Sequence, residues 1–243
     1  MKEYDYKNAM DKINIPQNMQ KNLLNKLTNK KERFIMKKKS ILIAAAACLC
    51  IGSIAFAAGN TIFSRTSSSS SIPEYKKLPT AEECMKDVGY VPYLIENFDN
   101  GYTFSGGNIV KNSSNDENGK SVEKFKSLSF IYEKDGNRVY FSEEKFSSPD
   151  TLHGEQVTLS NGAVAYYADD TYKFVPPDYE LTEEDKKAEK NGELTISYGS
   201  DEVEYSQIRS FYWAEGDMHY GLMQTDGELA KDDFTKMAEE IIK

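Results

Sequence analysis

Two histidines, three cysteines and a surplus of carboxylates are the side chains from which any chemistry in this 243-residue chain must be built. His153 lies in TLHGEQ and His219 in GDMHYGL. Neither has a second His or Cys at metal-ligand spacing, so each reads as a surface or sheet histidine. Cys48 and Cys50 fall within an uncharged apolar run, which leaves Cys84 alone outside it and gives no disulfide framework. No GxGxxG, GxxxxGKS/T, HExxH or G-x-S-x-G pattern occurs. Glu143 with Glu144, or Asp169 with Asp170, could be drawn as an acid and a base, but such neighbours are bound to arise where 39 Asp and Glu share one chain. Asn112 to Lys120 (NSSNDENGK) and the Asp201, Glu202, Glu204 group carry the hard oxygen atoms that calcium prefers. The first stretch lacks the DxDxDG spacing and the closing bidentate glutamate, so a solvated loop is expected there. The residues therefore define no catalytic, cofactor or metal site, and the expectation is a protein that is not an enzyme.

The elements that would hold these residues fall into two groups, divided by Ser40 to Ala58. These nineteen residues carry no charge, and as a helix they span about 28 Å at ~1.5 Å per residue, near the thickness of a bilayer's hydrocarbon core. Lys37, Lys38 and Lys39 precede the run and place the N-terminus on the cytoplasmic side. The rival reading is a signal peptide from Met36 with Ala55-Phe56-Ala57 as its cleavage site. Against it stands the tail ahead of Met36, which would serve nothing if discarded.

Charge divides at the same place. Residues 1–39 hold eleven Lys or Arg against four acids, a net of +7, and the remainder holds nineteen against thirty-five, a net of −16. A basic tail suits the anionic inner leaflet or an acidic partner, and a strongly acidic domain excludes nucleic acid as its ligand. Within the tail, Met19, Leu23, Leu27 and Phe34 recur at spacings of four, four and seven with Leu24 beside them, one face of a helix. A tail this short cannot bury that stripe against itself. It must lie on the membrane or dock on a partner, and these five residues are the candidate partner-binding set.

Beyond the span, residues 59–78 contain SRTSSSSS and read as a Ser-rich linker. The rest, 79–243, is one domain. Thr80 and Glu83 form a capping box for a helix ended by Gly89. Strands are expected over Tyr102–Val110, Lys124–Glu133 and Arg138–Lys145, with Asp135-Gly136 turning the last two. Val157–Leu159 and Ala163–Ala168 flank Asn161-Gly162. A further run, Tyr172–Val175, stops at Pro176-Pro177. Thr182 with Asp185 starts a charged helix read as an exposed insertion. Three more strands follow, Glu193–Tyr198, Tyr205–Ala214 and Met218–Gln224, with Phe211 and Trp213 on one face and Tyr212 on the other. A closing helix carries the stripe Phe234, Met237, Ala238, Ile241. The fold class expected is α+β: a short cytoplasmic helical tail, one transmembrane helix, and an extracytoplasmic curved antiparallel sheet with packing helices.

The tail YKNAMDKINIPQNMQKNLLNKL running into KKERFIMKKKSILIAAAACL resembles the cytoplasmic piece and anchor of single-pass anti-sigma-factor-like regulators of Gram-positive bacteria. The end of the domain, FYWAEGDMHYGLMQTDGELAKDDFTKMAEEIIK, is similar to extracytoplasmic domains attached to such proteins, and Tyr90-Val91-Pro92 with Asn100-Gly101-Tyr102 is like their opening. The resemblance implies a cytoplasmic sigma factor as partner, an outside signal, and location in the cell membrane. The tail departs from the zinc-binding anti-sigma domain in having neither His nor Cys, which excludes zinc-dependent sequestration. The functional expectation is a membrane-anchored signalling regulator whose partners are the lipid bilayer, a sigma factor and an envelope ligand. The alternative is an envelope binding or carrier module, tethered or secreted after cleavage near Ala57.

Overall fold

The computed structural model describes residues 55–57, 60–62, 64–116, 120–145 and 154–243. The tail 1–39 and residues 40–54 of the expected span lie outside the described residues. Among those described, no helix is long and apolar enough to cross a membrane.

Among the described residues the architecture is α+β, a curled half-barrel sheet with three short helices. Strands β1 (Ala55–Ala57) and β2 (Asn60–Ile62) make a small hairpin of their own. A nine-stranded sheet follows, formed by β3 (Ser64–Ser68), β4 (Thr103–Asn115), β5 (Ser121–Lys134), β6 (Asn137–Lys145), β7 (Glu155–Thr158), β8 (Val164–Val175), β9 (Thr195–Tyr198), β10 (Glu204–Glu215) and β11 (Met218–Thr225). Its order is β3-β4-β5-β6-β11-β10-β8-β7, with β9 also paired to β8. The helices are α1 (Ala81–Val88), α2 (Glu183–Lys190) and α3 (Lys231–Ile241).

Local chemistry accounts for most boundaries. Asp135 and Gly136 both take positive φ, 50° and 80°, the geometry of a two-residue turn whose twist matches its strands. Thr80 with Glu83 and Thr182 with Asp185 form the capping boxes of α1 and α2. Alternation along the strands puts Leu128, Phe130 and Tyr132 of β5, Val139 and Phe141 of β6, Phe211 and Trp213 of β10, and Leu222 of β11 into one buried cluster. All four stripe residues of α3 join it, with the Phe234 ring stacked 6.5 Å from Phe211. Gly107 is fixed by close approach, since a Cβ there would lie 2.8 Å from the Phe130 ring. Tyr75 exchanges both backbone hydrogen bonds with it at 2.9 Å, covering that stretch of the β4 edge.

Several expectations are corrected. The sheet is mixed, because β9 runs parallel to β8; a four-residue strand carries too little pattern to reveal its direction. The runs 163–168 and 172–175 are one strand, β8, since Asp169 to Thr171 continue the ladder with β10. Ser64–Ser68, expected as linker, pairs through its backbone with Lys111–Asn115. The expected loop from Asn112 is strand as far as Asn115, and Asn112 itself is buried, its amide donating to Ser127 Oγ at 2.8 Å. Ala55–Ala57, the end of the expected helical span, is a strand. Helix α2 is not free at its surface either: Asp185 in its first turn is buried against Lys173.

Candidate functional site

Strand β6 places Val139, Phe141 and Glu143 on the same inner face, and all three are fully buried. Glu143 thus sits where the pattern calls for an apolar side chain. Its cross-strand neighbours are Leu128 on β5 and Tyr220 on β11. The segment after α1, Tyr90-Val91-Pro92-Tyr93, closes over it. Tyr93 N–H donates to Glu143 Oε2 at 3.0 Å, and Tyr90 O–H donates to the Glu143 backbone carbonyl at 2.5 Å. The other carboxyl oxygen, Oε1, has no hydrogen-bond partner among the described residues.

Among the described residues, titratable groups around Glu143 come from several elements, and none is a cation. They are Cys84 of α1, Tyr90 and Tyr93 of the covering segment, Tyr132 of β5 and Tyr220 of β11. Burial pushes the Glu143 carboxyl up to about 9, only partly opposed by the Tyr93 N–H, so it is a neutral acid across the physiological range. Burial and the neighbouring carboxyl push the Cys84 thiol up to about 11, which leaves it protonated and unreactive. Tyr90, Tyr132 and Tyr220 are raised chiefly by burial. A protonated carboxyl in an aromatic core can hold or release a proton, but no nucleophile with a base faces it.

A second ionised cluster joins α2 to β8. Lys173 Nζ donates to Asp185 Oδ1 at 2.6 Å and to the Tyr179 hydroxyl at 2.7 Å, while Tyr179 O–H donates to Asp185 Oδ2 at 2.9 Å. Lys173 holds the Asp185 carboxyl far below the usual range, and Asp185 in turn raises the ammonium. A shallow groove of about 270 Å³ lies at the β3–β4–β5 edge, lined by Ser67, Ser68, Lys111, Asn112, Ser113 and Lys124. Its lining side chains are Ser, Asn and Lys, with no acid–base pair among them.

The five stripe residues Met19, Leu23, Leu24, Leu27 and Phe34 lie outside the described residues, as does His153. His219 is a half-buried residue of β11. Glu143 and Glu144 point to opposite faces of β6 and do not form an acid–base pair. Asp169 is engaged by Gln207 and Arg209, at 2.7 and 3.1 Å. Among the described residues no group of three or more His, Cys, Asp or Glu could hold a metal. Sequence reasoning named Glu143 only as a neighbour of Glu144 and missed its burial in the core. The signal was the period-two series Val139, Phe141, Glu143, which assigns a carboxylate to the core face. Compared with protein-family models, curated proteins and solved structures, the chain matches none of them.

Proposed function

We propose that the chain is a membrane-anchored signalling regulator of the anti-sigma-factor-like kind. Residues 40–58 sit in the bilayer, the 1–39 tail engages a cytoplasmic sigma factor, and the 79–243 domain receives a signal outside. The observation that carries this reading is the reversal of charge, +7 to −16, across nineteen uncharged residues. The tail stripe Met19, Leu23, Leu24, Leu27 and Phe34 supplies the contact, an amphipathic helix laid in an apolar groove, with the lysines steering it to an acidic surface.

The span proposed here needs the Ala55–Ala57 strand to give way to helix in lipid. That strand's hairpin joins three residues to three and is not part of the main sheet. A two-stranded hairpin is marginal in water, and in a bilayer its open edges would leave backbone groups unpaired, whereas a helix pairs them internally. The same observation favours a second reading. Ala55-Phe56-Ala57 is extended, the backbone form that pairs into a protease cleft, so cleavage there would release the domain as an envelope module.

Protease treatment of intact spheroplasts separates the two. The anchored regulator predicts digestion of the domain with the tail protected, and capture of a sigma factor by the full-length protein that a Leu23→Asp, Leu27→Asp variant loses. A mature N-terminus at Ala58, or undiminished capture by the variant, overturns it.

A further inference from the structure

The contacts of Glu143 single out one joint between the sheet and its cover. Helix α1 has eight residues and buries only Cys84, so by itself it is weakly held. The segment behind it is fixed to the sheet by the Tyr93 N–H bond to the Glu143 carboxyl and the Tyr90 O–H bond to the Glu143 carbonyl. Further along, Tyr132 O–H holds the Ile95 carbonyl at 2.8 Å. Elsewhere α1 is tied by exposed or half-buried contacts: Tyr75 O–H to Asp87 at 2.7 Å and Lys126 Nζ to the Asp87 carbonyl at 2.7 Å. Glu143 therefore lies under a short helix and its following segment, the part of the domain that comes next along the chain after the 59–78 segment.

We propose that Glu143 is a proton-dependent latch for α1 and the Tyr90–Tyr93 segment, closed while the carboxyl is protonated and released when it ionises. An ionised Glu143 would meet Cys84, Tyr90, Tyr93, Tyr132 and Tyr220, none of which offers a positive charge, and Tyr93 leads on to a second carboxylate, Glu215, at 3.0 Å from its hydroxyl. Its Oε1 has no donor among the described residues to satisfy it. A buried carboxylate so placed is far costlier than one in water. The relief available is for α1 and its following segment to lift, admitting water and leaving the α3 side of the core closed. In the closed form the proton is retained, and in the open form Glu143 ionises like any exposed glutamate. Each rise of one pH unit between those two values favours the open form about tenfold. The ligand sensed is thus the proton, and the direction is opening in alkali. The consequence for signalling rests on the anchored-regulator reading, because α1 is the first helix to follow residues 40–58 along the chain.

Hydrogen exchange on the full-length protein in lipid nanodiscs, from pH 6 to 9, tests this. After correction for the intrinsic exchange rate, protection of residues 81–98 should fall by up to ~tenfold per pH unit, while α3 stays flat. Glu143→Gln, and Glu143→Met as a second neutral variant, should remove the slope. An unchanged slope in either variant, or no slope in the wild type, overturns the latch. On the wild type alone, infrared spectroscopy should show a protonated carboxylic acid at pH 7 that is lost by pH 10; its absence at pH 7 has the same force. These readouts need no sigma factor, so a slope with no partner captured would refute the regulator reading and leave the latch standing.

Discussion

Among the described residues two carboxyl groups, Glu143 and Asp185, are buried, and they are kept in opposite states. Asp185 is met by Lys173 and Tyr179, and its first-turn position adds the Thr182 N–H at 3.1 Å. Glu143 is met by one backbone N–H and five neutral titratable side chains. Little of either side chain is exposed, but Glu143 lies deep in the core, where burial raises its carboxyl, and Asp185 lies against Lys173, which lowers its own. Asp185 is ionised because a cation and several donors replace the water it lost. Glu143 is neutral because only a single donor does.

The contrast gives opposite pH dependences, and the largest effect expected comes from Glu143. The native state keeps its proton where the unfolded chain has lost it. Its contribution is therefore complete below about 4.3, declines by up to ~1.4 kcal/mol per pH unit, and levels off near the native value of about 9. Chemical denaturation of the wild type and Glu143→Gln should show a gap that widens in favour of the variant from pH 5 to 9. A gap independent of pH would mean that Glu143 is ionised in the folded protein. Asp185 works the other way. Its contribution is present above about 3.9 and is lost as pH falls through a depressed native value, and that of Lys173 persists until pH rises through its raised one.

Next in size is the break of the ion pair. Lys173→Met leaves an unpaired buried carboxylate, and its melting temperature should fall on the order of 10 °C at pH 7. Adding Asp185→Leu should recover part of the loss, because the double variant buries no lone charge. A double variant worse than Lys173→Met alone would show that hydrogen bonds to Thr182 and Tyr179, and not the charge pair, hold α2.

The smallest effects sharpen the comparison. Tyr179→Phe and Tyr90→Phe each remove one hydroxyl donor and should each cost about 1 kcal/mol. Tyr179 donates to a carboxylate, so its loss should move acid unfolding to higher pH. Tyr90 donates to a backbone carbonyl, so its loss should leave the alkaline slope intact. Urea titrations across pH distinguish the two, and a flattened alkaline slope in Tyr90→Phe would mean that this hydroxyl sets the carboxyl's state.

Short-range chemistry made a good part of this fold legible. The Thr80–Glu83 and Thr182–Asp185 boxes, the Asp135-Gly136 turn, the Phe211/Trp213 face and the α3 stripe all follow from spacings of two, three or four residues. What was not legible depends on partners far along the chain. Asp185 was readable as a cap residue, while its pairing with Lys173 needs β8 beneath α2. Ser64–Ser68 has no apolar pattern, and its strand exists because the β4 backbone lies beside it. The parallel course of β9 is set by where α2 returns the chain. Glu143 was legible in principle, since Val139 and Phe141 fix its face, but its meaning depends on the Tyr90–Tyr93 cover, which no local pattern announces.

The way the sheet ends has a consequence for what happens when many copies crowd together. One margin is β3, five residues of Ser, Arg and Thr. The other is split between β7 on Val164–Tyr167 and β9 on Tyr172–Val175, four residues each and running in opposite directions. Neither margin offers a long, flat, greasy strand for a neighbour to extend. A recruited strand would meet hydroxyls at one side and a change of direction at the other, which is how natural sheets avoid growing into fibrils.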